Sequence, residues 1–128
     1  MWTIHSGLLA RLAEHCCAEY PREACGALLG DQPLIRAAIP LPNVSATPGY
    51  RYEIDPLALA RAAATRRLVG LYHSHPDASP HFSRDDLAAG KPGWLYLVLS
   101  VRAGLFGGVQ AWRPLNRRAA VFEDLEIT

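Results

Sequence analysis

The chain has 128 residues, of which 50% are hydrophobic and 20% are charged. This length and composition exclude a disordered chain and predict one packed domain over residues 1–128. The formal net charge is +1, and the arginines are scattered rather than clustered into a stripe. We therefore expect neither nucleic acid nor a membrane surface as a partner.

The cysteines and the N-terminal segment bear on the cellular compartment. Cys16, Cys17 and Cys25 are odd in number and two of them are adjacent, which favours free thiols over a disulfide framework. The first residues lack the basic region of a signal peptide. No apolar stretch reaches the ~18 residues that a membrane span needs. We expect a soluble, cytoplasmic protein.

The apolar pattern predicts helices alternating with strands. Leu8, Leu9, Leu12 and Cys16 recur at helical spacing and predict a first helix from about Ile4 to Tyr20, capped near Ser6. Two further helices are predicted at Leu57–Arg67, after Pro56, and at Ser83–Ala89. Predicted strands are Ala24–Leu29, Leu34–Ile39, Tyr50–Ile54, Leu68–His73, Trp94–Val101, Gly107–Arg113 and Ala119–Ile127. This order predicts an α/β sandwich with a mixed sheet flanked by helices.

The segment with the clearest chemical signal is HSHPDASPHFSRDD, residues 73–86. Residues i and i+2 of a strand point to the same face, so an extended segment places the imidazoles of His73 and His75 on one side. Pro76 then ends the strand. Strand ends are common positions for sites in α/β folds. The pair is suited to hold one metal ion.

A catalytic zinc ion needs a third protein ligand and an open position for water. Asp77, His81, Asp85 and Asp86 all follow closely enough to supply that ligand. Asp86 differs from the others because Ser83 precedes it by three residues, the spacing of a capping box. A helix cap without any metal would explain Ser83 and Asp86 equally well.

Hydrolysis at a metal site also needs a general base, for which glutamate is a common choice. Candidates are Glu14, Glu19, Glu23, Glu53 and the acidic residues near the C-terminus. Glu23 is distinguished because it directly precedes the apolar run Ala24–Leu29. A carboxylate that leads into a buried strand needs a partner or a function. Spacing by itself does not choose among these glutamates.

These residues also form a known pattern. His73-Ser74-His75-Pro76, followed at the same spacing by Ser83 and Asp86, resembles the JAMM motif of the MPN+ (Mov34/PAD-1) metallopeptidases. The upstream segment PREACGALLG, residues 21–30, is similar to the part of that family that carries its catalytic glutamate. Asn43 and the segment YEIDP, residues 52–56, also fit. The resemblance covers nearly the whole chain and is strongest to the short prokaryotic members.

The resemblance implies a role for each motif residue. His73, His75 and Asp86 would ligate Zn²⁺, Glu23 would activate a water and protonate the leaving amine, and Ser83 would stabilise the oxyanion. The implied fold is a compact α/β sandwich, with a mixed curved sheet, similar to that of cytidine deaminases.

The resemblance also implies a substrate class. Short prokaryotic members cleave after the C-terminal Gly-Gly of ubiquitin-like or sulfur-carrier proteins, so such a tail is the expected partner. The alternatives are a zinc amidohydrolase acting on a small molecule and a non-catalytic MPN scaffold. The oligomeric state is left open between a monomer and a homodimer.

Overall fold

Eight strands form one sheet in the computed structural model, which describes residues 1–128. The strands are β1 Trp2–Ile4, β2 Cys25–Asp31, β3 Leu34–Leu41, β4 Leu68–Pro76, β5 Leu95–Arg102, β6 Leu105–Pro114, β7 Ala120–Glu123 and β8 Leu125–Ile127. The helices are α1 Ser6–Glu19, α2 Pro56–Ala62 and α3 Arg84–Ala89. None of the helices is long and apolar enough to cross a membrane.

The sheet is mixed and curved. Its order is β7-β6-β5-β4-β2-β3-β1-β8, with β4 antiparallel to β2 and parallel to β5. The edge strands β7 and β8 follow each other in the chain with only Asp124 between them. The two edges of the sheet therefore lie close together, and the sheet curls round on itself. The predicted α/β fold with a mixed curved sheet flanked by helices is confirmed.

Helices cover both faces of the sheet because alternate residues of the inner strands are apolar on both sides. On one face, the buried residues of α1 pack in a core cluster with Leu28, Leu97 and Leu99. On the other face, Ala27 and Leu29 pack against Ala62 of α2. β4 is buried along most of its length, so the segment that carries the two histidines is held between neighbouring strands and covering helices.

Several helix boundaries differ from the predicted ones. The N-cap of α1 is His5, whose Nδ1 accepts from the Gly7 N–H at 3.0 Å, as the prediction of a cap at Ser6 or a neighbour allowed; the helix itself spans Ser6–Glu19 and not Ile4–Tyr20. α2 ends at Ala62 rather than at Arg67. Residues 63–67 leave the helix because they lead into β4. The Arg67 carbonyl already accepts from the Gly30 N–H at 2.9 Å, just before that strand begins.

Two strand predictions are also corrected. Residues 50–54 are not a strand, because Glu53 pairs with the preceding loop: its N–H donates to Asn43 Oδ1 and its carbonyl accepts from Val44. The predicted strand Ala119–Ile127 is divided at Asp124 into β7 and β8. The short β1, which the sequence analysis missed, lies parallel to both β3 and β8. All three cysteines are free, as predicted.

The close approach of β4 to β5 gives a stability prediction. A Cβ atom at Gly70 would lie 1.8 Å from the Leu95 carbonyl oxygen, so Gly70→Ala must push two central strands apart. We expect a loss of about 3 kcal/mol or more in the free energy of unfolding, measured by urea denaturation. Gly49→Ala is the control, since its Cβ would come no nearer than 3.8 Å to Pro21. Equal stability of the two variants would contradict this packing.

Candidate metal centre

The two histidines of β4 point their Nε2 atoms at one place. His73 is fully buried and His75 nearly so, and their Nε2 atoms are 3.3 Å apart. Asp86 faces both: Oδ1 lies 3.0 Å from His73 Nε2 and Oδ2 lies 3.0 Å from His75 Nε2. Three side chains from two elements therefore converge on a single point.

The start of α3 fixes the direction of Asp86. Ser83 is the N-cap, and its Oγ accepts from the Asp86 N–H at 3.1 Å. In return, the Ser83 N–H donates to Asp86 Oδ2 at 2.9 Å. This reciprocal capping box holds the carboxylate in one orientation at the first helical turn. Asp86 therefore both caps the helix and contacts the two histidines.

The spacing of the donor atoms fits a small metal ion. A tetrahedral ion with bonds of about 2.0–2.1 Å to two imidazole nitrogens separates them by about 3.3–3.4 Å. The observed separation of the two Nε2 atoms is 3.3 Å. Ligand atoms of Glu23, His73 and His75 also lie within 4.8 Å of one another. The site could hold a metal ion, with imidazole nitrogens and carboxylate oxygens as donors.

Each histidine ring is held in place by a contact behind it. His75 Nδ1 lies 2.9 Å from the Ser79 carbonyl oxygen, to which it donates, so Nε2 is the nitrogen that faces Asp86 and His73. Such outer contacts set the tautomer of a ligating histidine. His73 Nδ1 is buried without a hydrogen-bond partner. Its ring is instead stacked on Tyr52, with centroids 4.5 Å apart and planes inclined by 22°.

The segment before β2, the strand paired with β4, brings Glu23 close to the two histidines. Ser74 lies between the two histidines, on the opposite face of the strand, and its Oγ accepts from the Ala24 N–H at 2.8 Å. The Ser74 N–H donates to the Ala24 carbonyl at 3.1 Å. β4 therefore carries both histidines and also fixes the backbone next to Glu23.

Burial and charge set the protonation of these groups. Burial raises the pKa of Glu23 to about 7, with His75 opposing the shift and Asp86 adding to it. Burial also acts to raise the pKa of Asp86, but its contacts with His73 and His75 outweigh this and hold its pKa far below the ordinary value. Burial lowers the pKa of His73. Burial acts to lower the pKa of His75 too, but its hydrogen bond to Asp86 and the charge of that carboxylate outweigh this and raise it. A buried carboxylate beside two imidazoles, which bind a metal ion in their neutral form, is a donor set that suits a cation.

The site opens into a cleft of about 740 Å³. Glu23, His75, Ser83 and Asp86 line the cleft, and His73 lies fully buried beneath it. The loop that follows β3 also lines the cleft, at positions 45–47 and 49–53. All five predicted site residues are thus brought together, although Glu23 and Asp86 are far apart in the sequence.

The other candidates for the third ligand make different contacts. Asp77 accepts from the Tyr20 hydroxyl at 2.7 Å and from the Ala103 N–H at 2.8 Å. Asp85 is exposed and pairs with Arg51 at 3.6 Å. The His81 ring lies in the cleft beside His75, with centroids 5.0 Å apart, but its Nδ1 atom is bonded to Ser79. Among the glutamates, Glu23 is the buried one.

Residues 5–115 match the family described as prokaryotic homologues of the JAB domain. The chain belongs to this family. The expected membership of a short prokaryotic JAMM/MPN group is therefore confirmed, and this JAB-domain protein is a hydrolase.

This JAB-domain chain is similar in sequence to two proteins with known names. It is 38% identical over 101 residues to a desampylase of Haloferax volcanii, covering 73% of each chain. It is 43% identical over 75 residues to a probable TtuB-protein conjugate cleaving protease of Thermus thermophilus, covering 55% of this chain and half of that protein. A JAB1/MPN domain protein from Archaeoglobus fulgidus shares the fold, with a TM-score of 0.69 at 19% identity over 99% of this chain and 97% of that one.

Sequence reasoning missed the residues that hold the site in place. The roles of Ser74, of the Ser79 carbonyl and of the Tyr52 ring emerge only from contacts between distant segments. The alternation of the strand could have indicated Ser74, since a polar residue flanked by two same-face histidines must point into the opposite, apolar layer.

The contact between Ser74 and Ala24 gives a second stability prediction. Ser74→Ala leaves the buried Ala24 N–H without an acceptor, and we expect it to cost about 1–3 kcal/mol in the free energy of unfolding of the metal-free protein. Chemical denaturation in the presence of a chelator measures it. Ser6→Ala, an exposed position at the start of α1, is the control and should stay within about 0.5 kcal/mol of wild type. A Ser74→Ala protein as stable as the control would refute the contact.

Proposed function

We propose that this chain is a zinc-dependent isopeptidase or peptidase that hydrolyses the bond after the C-terminal Gly-Gly tail of a ubiquitin-like or sulfur-carrier protein. The observation that carries the proposal is the convergence of His73, His75 and Asp86 within 3.0–3.3 Å of one another, beside a buried glutamate and at the base of an open cleft. A hydrolytic metal site needs this combination of three ligands, a base and access to substrate.

In this proposal His73, His75 and Asp86 hold the zinc ion. Bound zinc supplies a Lewis acid, which lowers the pKa of water enough for attack on a carbonyl near neutral pH. The residues provide two neutral imidazoles and one carboxylate, a ligand set of the kind found at catalytic zinc sites. Asp86 meets the histidines through both oxygens, so the capping box of α3 also orients the metal site.

Glu23 is the proposed general base and acid. It is buried at the base of the cleft, and burial raises the pKa of its carboxyl group to about 7. A group of that pKa takes and returns a proton readily near neutral pH. Glu23 would accept a proton from the attacking water and then donate it to the departing amine, so that the peptide bond breaks to an acid and a neutral amine.

Ser83 is the proposed donor to the oxygen of the attacked carbonyl. Its Oγ uses a lone pair to accept from the Asp86 N–H, which leaves the hydroxyl hydrogen free to donate, since a hydroxyl both accepts and donates. Ser83 lines the cleft. The capping role and a role towards substrate are therefore compatible in one side chain.

The substrate class rests on the named relatives and on the shape of the cleft. The two relatives are named for desampylation and for cleavage of TtuB-protein conjugates. The cleft includes small residues at several positions, among them Ala46, Gly49, Ala78 and Ala89. Small side chains leave room for the backbone of an extended tail, and glycine is the residue that passes through narrow spaces most easily.

The role of Glu23 is tested by Glu23→Gln, which keeps the shape but removes the base. We expect kcat to fall by about 10²–10⁴-fold on a carrier protein fused through Gly-Gly to a short extension, with zinc content unchanged. Mass spectrometry of the released tail measures the rate. Glu14→Gln, on the exposed side of α1, is the matched control and should cleave like wild type. Equal turnover by Glu23→Gln and Glu14→Gln would overturn the mechanism.

The ligand set is tested by the response of thermal stability to zinc. A ligand that binds only the folded state stabilises it by about 2.7 kcal/mol at one hundred times its Kd, so chelation should lower the Tm of wild type and zinc should restore it. Asp86→Asn should show no such zinc-dependent shift. Asp85→Asn removes the neighbouring exposed acid and should keep the shift. If Asp86→Asn responds to zinc as Asp85→Asn does, Asp86 is not a ligand.

The substrate is tested by comparing tails. A carrier ending in Gly-Gly before the extension should be cleaved. The same fusion with Ala-Ala in place of Gly-Gly should be cut about tenfold more slowly or worse, because each added methyl group must fit the cleft. Measured kcat/KM decides between them. Cleavage of small amides together with inertness towards both fusions would favour the amidohydrolase alternative instead.

A further inference from the structure

Asn43 organises the loop after β3 that lines the cleft. Its Nδ2 donates to the carbonyls of Glu23 and Arg51, both at 2.9 Å, and lies 3.5 Å from that of Pro48. Its Oδ1 accepts from the N–H groups of Ser45 and Glu53, both at 3.1 Å. One half-buried amide therefore ties the start of the loop, its end and the segment before β2 together.

This loop holds the backbone of Glu23 at both ends. The Glu23 N–H donates to the Pro48 carbonyl at 2.7 Å, and the Glu23 carbonyl accepts from Asn43. The position of the carboxylate thus depends on the loop as well as on Ser74 of β4. The same loop lines the cleft from Ser45 to Glu53.

We propose that Asn43 is a positioning residue that sets the location of Glu23 and couples it to the substrate-facing wall of the cleft. The inference rests on the proposed function, in which Glu23 is the general base. Asn43 makes no hydrogen bond to the histidines or to Asp86, and its direct bond at the site is to the backbone of Glu23. Its bonds to Arg51 and Glu53 lie on either side of Tyr52, the ring stacked on His73, so zinc affinity is measured together with kcat.

The side chain must be asparagine because the site needs donors and acceptors on one short, planar group. Aspartate has the same shape and keeps the acceptor for Ser45 and Glu53, but it has no hydrogen to donate and places charge against the carbonyls of Glu23 and Arg51. Alanine removes every bond without adding charge. Displacement of a catalytic group by about 1 Å costs on the order of 10²-fold in rate.

The experiment combines Asn43→Asp with Glu23→Gln in the full-length, zinc-loaded protein, assayed on the Gly-Gly fusion. We expect Asn43→Asp to lower kcat and kcat/KM together by about 10- to 100-fold, with KM and zinc affinity unchanged. In the Glu23→Gln background, Asn43→Asp should cause no further loss, because the group it positions is already inactive. Asn43→Ala should show the same non-additivity and replaces the charged variant if that variant does not fold.

A second measurement does not require activity. Hydrogen exchange at the Glu23 amide, bonded to Pro48, should become faster in both Asn43 variants, while exchange in β5 is unchanged. Asn116 provides the matched control, since its Oδ1 accepts from the Arg118 and Ala119 N–H groups in the β6–β7 turn. Asn116→Asp keeps those acceptor bonds, and Asn116→Ala removes them without affecting kcat.

The outcomes separate the two proposals. If Glu23→Gln retains full activity, the assignment of the general base fails and the inference fails with it. If Glu23→Gln is inactive but Asn43→Asp has wild-type kcat, or lowers kcat by the same factor with and without Glu23→Gln, only the inference about Asn43 is overturned. A loss of zinc affinity in the Asn43 variants would likewise overturn it, because the effect would then reach the metal ligands.

Discussion

The site depends on the alternation of side chains along β4. His73 and His75 face the cleft side and Ser74 faces the other, where its hydroxyl accepts from Ala24. One strand therefore supplies two convergent nitrogen atoms and also fixes the backbone beside Glu23. Because β4 lies between β2 and β5 and is covered by helices, it cannot shift without disturbing the centre of the sheet.

The burial of several ionisable groups in one place is tolerated because they satisfy one another. Asp86 interacts with both histidines and with the Ser83 N–H, and paired buried charges cost far less than isolated ones. Glu23 is the exception, since its carboxyl group pays desolvation with little compensation and its pKa rises to about 7. This difference between a stabilised and a destabilised carboxylate matches the roles proposed for the two groups, Asp86 as a metal ligand and Glu23 as a proton carrier.

Local patterns predicted the elements that carry the site better than the elements around it. The strand–loop–helix order of residues 68–89 follows from a short apolar run, two prolines and a capping box, all of which act within a few residues. The supposed strand at residues 50–54 was wrong because Asn43 binds Glu53 and Arg51 across the loop, a contact that residue alternation does not encode. β1 was missed because three residues carry too little periodicity, and its pairing with β3 and β8 is a matter of topology.

The sequence by itself determined the chemistry of the site: two histidines on one strand face, a serine and an aspartate at capping-box spacing, and a glutamate ahead of a buried strand. These signals are local, since they depend on the periods of the strand and the helix. Only the tertiary structure decided that Asp86 meets both imidazoles, while Asp77 and Asp85 bind other partners and the Nδ1 atom of His81 lies against Ser79. It also placed Glu23 beside them and clamped it through Asn43. Those distances arise from strand pairing and loop closure between segments remote in the chain, and no local pattern specifies them.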